Sequence, residues 1–161
     1  SFLQPRYTSS HWDKYAEGCD NAGRRADRED WRVSRSIILA PSDEEARDYV
    51  FKPDGAMSFW YHYILSSLRA RGLQKFIAPD DHPEPDAVQW HEAAESMVAY
   101  GSPKTVLDKL IALRDTTGHF GVLTLLTHDW DDPAFCQRSM RLLAEDVMPK
   151  LSQHAKATKA A

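Results

Sequence analysis

At 161 residues, 42% hydrophobic and 27% charged, the chain has the size and composition of one globular domain with a buried core. Its formal net charge of -4 supplies no electrostatic footprint for nucleic acid or an anionic membrane, and no apolar run approaches the roughly 20 residues a bilayer-spanning helix needs. Cys19 and Cys136 have neither zinc nor redox spacing and the N-terminus carries no signal-peptide core, so the expected location is the cytoplasm, with no nucleic-acid or membrane partner.

The opening "SFLQPRY" reads as the middle of a connection. Trp12, Tyr15, Ala16 and Cys19 then recur at helical spacing over 9–22, with Ser9 or Ser10 as the N-cap and Gly23 as the stop. A polar loop leads to a strand over 31–40, whose end "SIILA" is the short apolar run of a strand covered on both faces. Lower on that strand Arg32, Ser34 and Ser36 alternate with Val33, Arg35 and Ile37. One face is therefore polar, either as the wall of a binding cavity or as an exposed edge. Pro41 breaks the strand, and Ser42 with Glu45 caps a helix over 43–51. After the turn "KPDG", Met57, Trp60, Tyr61, Ile64, Leu65 and Leu68 stripe a second helix over 56–71, closed by Gly72.

The segment 78–88, "APDDHPEPDAV", is too rich in Pro and Asp for a regular element and reads as a surface loop or lid. "QWHEAAESM" reads as a short helix. The strand–turn–helix grammar then returns twice. A short strand ends at Gly101, Ser102 is the N-cap, Pro103 takes the first helical position, and a helix runs to Thr116 with Val106, Leu107, Leu110, Ile111 and Leu113 inward. A strand over 121–127 ends in "HDW", after which Asp132 and Pro133 start a helix to about Leu151, striped by Cys136, Met140, Leu143, Val147 and Leu151. The remainder, 152–161, is expected to be a flexible tail.

Alternating β and α units imply parallel strands, and three of them cannot close a (β/α)8 barrel, which takes eight strands and about 250 residues. The predicted fold is therefore α/β: the C-terminal part of a (β/α)8 TIM barrel over 1–151, with parallel strands and an inserted helix and loop at about 53–90. Sites in such folds sit at the carboxyl ends of the strands. Here those ends carry Ser42, Ser102 and the run His128, Asp129, Trp130. The helix start at Ser102 suits either an anion such as a phosphate or simple capping. His128 is a candidate hydrogen-bond donor or general acid/base, against the alternative of a histidine bridging loop backbone. Trp130, Trp60 and Tyr61 are candidate walls of an apolar pocket, against core or rim packing. Asp129, Asp131 and Asp132 lack the glycine and distal glutamate of a calcium loop; Asp132 reads as a cap and Asp131 as solvated. The histidines show no HxxxH or HExxH spacing, and no metal site is expected.

The segments "DREDWRVSRSIILAPSDEEAR", "YGSPKTVLDKLIALRDTTGHFGVLTLLTHDWDDP" and "RSMRLLAEDVMPKL" resemble the C-terminal region of the bacterial luciferase-like, flavin-dependent monooxygenases, in the limonene monooxygenase-like branch. The resemblance covers about 12–151 and is poor in the 50s to 80s. It implies an oxidoreductase in which reduced FMN and molecular oxygen form a flavin hydroperoxide in a dry pocket and oxygenate a small organic substrate, the reduced cofactor coming from a separate flavin reductase. It also implies that this chain alone is incomplete, its partner being the N-terminal half of the barrel or a second copy. "SFLQPRYTSS" would follow the fifth barrel strand as a loop, so that Thr8, Ser9 or Ser10 offers hydroxyls to the flavin phosphate, while His128 and Trp130 face the cavity. Two other readings stay open: a non-catalytic α/β fragment that pairs its bare edges with a partner chain or with itself, and a deazaflavin-dependent oxidoreductase of the same superfamily.

Overall fold

The computed structural model describes residues 3–160, the last three by backbone alone. Its centre is β1 (Arg32–Leu39), flanked in parallel by β2 (Val98–Gly101) and β3 (Val122–Leu125) in the order β2-β1-β3. The pairing is staggered. Residues 36–39 of β1 pair with β2, and residues 32–35 with β3. Parallel strands were expected; three successive barrel strands, however, would place β2 in the middle. The short, wholly buried β2 meets only the C-terminal half of β1, and β3, on the other edge, meets only the N-terminal half.

Helices cover the two sheet faces as the alternation of side chains dictates. On one side α2 (Asp43–Val50), α3 (Ala56–Arg69) and α4 (Trp90–Met97) bury Ala46, Val50, Met57, Tyr61, Leu65 and Met97 against Ala40, Val98 and Tyr100. On the other, α5 (Pro103–Thr117) and α7 (Met148–Ala160) bury Val106, Leu110, Leu113 and Leu151 against Val33, Leu39 and Ala99. Between α6 (Pro133–Leu142) and α7 the helix widens into a π segment, Leu143–Val147, which turns Leu143 and Val147 inward while Met140 stays 44% exposed. The apolar spacing placed Met140 inside. A π turn shifts the helical phase, so a stripe counted at the α period cannot hold on both sides of it.

The caps work as the sequence indicates. Ser42 accepts from the Glu45 amide at 3.1 Å, and Asp132 from the Phe135 amide at 3.0 Å. Gly121 allows a close approach: a Cβ there would lie 1.9 Å from the Glu29 carbonyl oxygen.

Three expectations need correction. The first helix, α1 (Pro5–Asn21), starts before Ser9, with Pro5 in its first turn and Gln4 as N-cap residue; the Gln4 amide reaches away to the Ile77 carbonyl at 3.1 Å and Ser96 Oγ at 2.7 Å. The 78–88 segment is stitched down rather than poised as a lid. Arg6 pairs with Asp80 and donates to the Ala78 carbonyl at 3.1 Å, Arg69 donates to the Val88 carbonyl at 2.6 Å, and His82 meets Glu92 at 3.2 Å. Residues 152–160 continue α7 as helix, and residue 161 lies outside the described residues.

Candidate functional site

Because the strands are parallel, the turns that follow them emerge at one end of the sheet. There β1 supplies Ser36, whose hydroxyl lies 3.2 Å from His128 Nε2 on the loop leaving β3. The half-buried imidazole lies 5.1 Å from the Trp60 ring, tilted by 35°, which places α3 over the strand end. Burial lowers the proton affinity of His128 below the ordinary imidazole value, and the nearby Asp129 carboxylate works against that shift. Ring, hydroxyl and indole thus form a small polar centre with an aromatic cover, able to hold one proton between Ser36 and His128.

Tyr61 is deeper. It is 4% exposed, and burial pushes its phenol above the usual range, the Arg35 guanidinium acting against it. Arg35, 6% exposed, donates to the Ser34 carbonyl at 2.8 Å, and burial pulls its pKa down to about 10. Trp130 is 43% exposed and, with His128, Met57 and Phe135, borders a cavity of about 40 Å³. The structure therefore sets Trp60 against the His128 ring and places Trp130 with His128 on the border of that cavity, while Tyr61 lines a separate small void with Ser36 and Trp60.

The remaining site expectations are corrected. Thr8, Ser9 and Ser10 lie within α1, not on a loop, and their hydroxyls donate to the carbonyls of Gln4, Thr116 and Tyr7. Thr116 sits at the end of α5 that leads into the start of β3, the opposite end of the sheet from His128. Ser102 does cap α5, but a carboxylate already holds the free amide there: the Ser102 N–H donates to Asp43 Oδ1 at 2.6 Å and Thr105 Oγ1 to Asp43 Oδ2 at 2.9 Å. An anion would meet a negative charge at that helix start. Asp131 is not merely solvated, since it accepts from Tyr49 Oη at 2.7 Å and from the Ala56 amide at 3.2 Å.

Ser36 was visible only as part of a polar strand face. The Tyr49–Asp131 contact leaves no local signal, because its partners are distant in sequence. Among the described residues no group of three His, Cys, Asp or Glu side chains is placed to hold a metal ion, and no helix is long and apolar enough to cross a membrane.

Over 143 residues the chain is 32% identical to 3,6-diketocamphane 1,6-monooxygenase of Pseudomonas putida, a match covering 88% of this chain and 37% of that enzyme. A solved structure of the oxygenating constituent of 3,6-diketocamphane monooxygenase from the same species, a type II Baeyer-Villiger monooxygenase in complex with FMN, superposes with a TM-score of 0.80 at 30% identity, covering 91% of this chain and 40% of that one. Over most of its length the chain is similar to part of these FMN-dependent monooxygenases, consistent with the luciferase-like flavin-dependent family. Limonene 1,2-monooxygenase of Rhodococcus erythropolis is a further relative at 25% identity over 141 residues, covering 88% of this chain and 34% of that enzyme. No family model matches the chain. It spans less than half the length of these relatives.

Proposed function

We propose that the chain is the C-terminal part of a (β/α)8-barrel monooxygenase of the cytoplasm that uses reduced FMN and O2 to oxygenate a small organic substrate, with a separate flavin reductase supplying the cofactor. The observation that carries this is the TM-score of 0.80 with an FMN-complexed monooxygenase at 30% identity. The strand order β2-β1-β3 is not that of successive barrel strands, but the staggered sheet leaves an edge where more structure can join. The N-terminal half of β1 pairs only with β3 among the described residues, and beside it lies an open cavity of about 250 Å³ lined by Arg35, Ala99, Leu110 and Leu113. An apolar cleft along an unpaired strand edge is where further barrel structure, or a second copy, would seat.

The fit to FMN is partial. Trp60, Trp130 and His128 suit one side of a planar ring, but the cavity of about 40 Å³ beside His128 is far below the roughly 300 Å³ of even a small ligand pocket. Thr8, Ser9, Ser10 and Ser102 do not fit a flavin phosphate, being bonded to carbonyls or set beside Asp43. This chain therefore contributes one wall, and the rest of the pocket belongs to structure outside it. When bound, the reduced flavin supplies the electrons that activate dioxygen. His128, neutral near pH 7 because burial disfavours its cation, holds or receives a proton at Nε2 against Ser36 Oγ, while Trp60 and Trp130 keep water from that face.

The test is made on the whole gene product. Purified with a flavin reductase, it should bind FMN, show flavin rather than deazaflavin absorbance, and oxygenate bicyclic ketones of the diketocamphane kind; His128→Gln should lower the rate. A whole protein that takes up neither cofactor rejects the reading in favour of a non-catalytic fragment.

A further inference from the structure

We propose that Asp131 is a positioning residue: its carboxylate clamps the loop after β3 to the corner between α2 and α3, and so holds His128 against Ser36 and Trp60. The chain leaves β3 and regains regular structure only at Pro133, and the intervening residues form neither helix nor strand. Fixing such a stretch costs about 1–2 kcal/mol per residue in backbone entropy, so it needs an anchor. Asp131 uses both carboxylate oxygens. Oδ1 accepts from Tyr49 Oη at 2.7 Å, Oδ2 accepts from the Ala56 amide at 3.2 Å, and Lys52 Nζ stands 3.9 Å from Oδ2.

Tyr49 extends the clamp into α6. Its ring stacks on Phe135 with centroids 4.0 Å apart and planes 7° from parallel, and its hydroxyl lies 3.3 Å from Cys136 Sγ. One carboxylate therefore joins α2, the start of α3, the strand-end loop and, through Tyr49, α6. Hydrogen bonds to an ionised acceptor are the stronger kind, and these link residues far apart in sequence. A Cβ at Gly55 would press on Lys52, 3.2 Å from its Cβ and from its carbonyl oxygen, but would stand at ordinary contact distance, 3.5 Å, from Oδ2. His128 sits three residues before Asp131 on the same loop, so its contact with Ser36 depends on where the clamp holds the chain.

Describing the effect as positioning rests on the reading of His128 as a site residue; the clamp itself does not. The experiment uses the 161-residue chain carrying Cys19→Ser, so that Cys136 is the remaining thiol. Labelling of Cys136 by dithiobis-nitrobenzoate reports opening of the Tyr49 junction, and an NMR titration of the His128 ring reports its seat. Asp131→Ala and Tyr49→Phe should each label about tenfold faster or more, the factor expected for losing a hydrogen bond to a charged group. In Asp131→Ala the His128 midpoint should rise toward the ordinary imidazole value. Removing a negative charge alone would lower it, so the direction separates release from electrostatics. Asp131→Asn keeps an acceptor for Tyr49 and should stay within about threefold of the parent by the same measure. Parent-like labelling and titration in Tyr49→Phe and Asp131→Ala overturn the clamp; if Asp131→Ala does not fold, Tyr49→Phe and Asp131→Asn decide alone. If these variants behave as expected while His128→Gln leaves flavin binding and turnover of the whole protein untouched, the clamp stands and the functional reading falls.

Discussion

The Ser102 amide donates to Asp43 Oδ1 at 2.6 Å, joining the first residue of α2 to the N-cap of α5. This bond, with those from the Thr105 and Ser102 side chains, holds the Asp43 carboxyl below its usual range. A carboxyl with a depressed folded-state pKa stabilises the protein above its unfolded value near 4, and that contribution is lost as pH falls through the folded value. Asp43→Ala should therefore cost about 1 kcal/mol near pH 7, the usual worth of a helix cap, and the gap to the parent should narrow below about pH 4. Urea melts at both pH values check it.

Gly121→Ala should be costly. The added Cβ meets main chain, the Glu29 carbonyl at 1.9 Å, and backbone cannot rotate away as a side-chain tip can. A loss of about 3 kcal/mol in urea unfolding is expected, the upper range for a single substitution. A parent-like melt would show that the 27–31 turn yields freely.

Arg35 carries the desolvation cost of a buried guanidinium, its pKa drawn down to about 10. Because it stays charged below that value, the cost is constant across ordinary pH. Arg35→Met keeps the aliphatic volume and removes the charge, and should fall within about 1 kcal/mol of the parent or above it. Arg35→Ala leaves a void and should lose about 2 kcal/mol. Thermal melts of the two variants side by side distinguish charge from packing.

His128 has the same sign as Asp43, although here it is the neutral form that the fold favours. Burial lowers its folded-state pKa, so the folded state resists protonation and loses stability as pH falls below the unfolded value near 6.5. His128→Gln cannot be protonated. It should therefore gain on the parent between pH 7.5 and about 5, measured by urea midpoints with Asp43 left intact.

Much of this fold is written in local chemistry. Ser42, Ser102 and Asp132 announce their helices because a side-chain oxygen two or three residues from the amide it caps is a contact within one turn. The stripe on α3 was legible for the same reason, as Met57, Tyr61 and Leu65 all turn inward. The strand order was not. Whether β2 or β3 lies beside a given half of β1 depends on strand length and on the helices between, and no short-range pattern encodes it. The site divides along the same line. His128 at a strand end and Trp60 on the striped helix could be read from position, whereas Asp43 filling the Ser102 helix start, and Asp131 meeting Tyr49, join residues that only the folded chain brings together. The start of α1 was misread because Ser9 and Ser10 looked like caps; Pro5 already begins the helix.

The staggered sheet carries a kinetic consequence. β2 and β3 have no register with one another, and each meets the sheet only through β1: Ser36 must find Val98, and Arg32 must find Val122. No hairpin can nucleate this sheet, so two long segments must be closed before any ladder forms. Chains whose contacts are this distant fold slowly, and until closure the apolar run at 37–40 is an open edge available to other molecules. Refolding yield should fall with rising protein concentration well before native stability does.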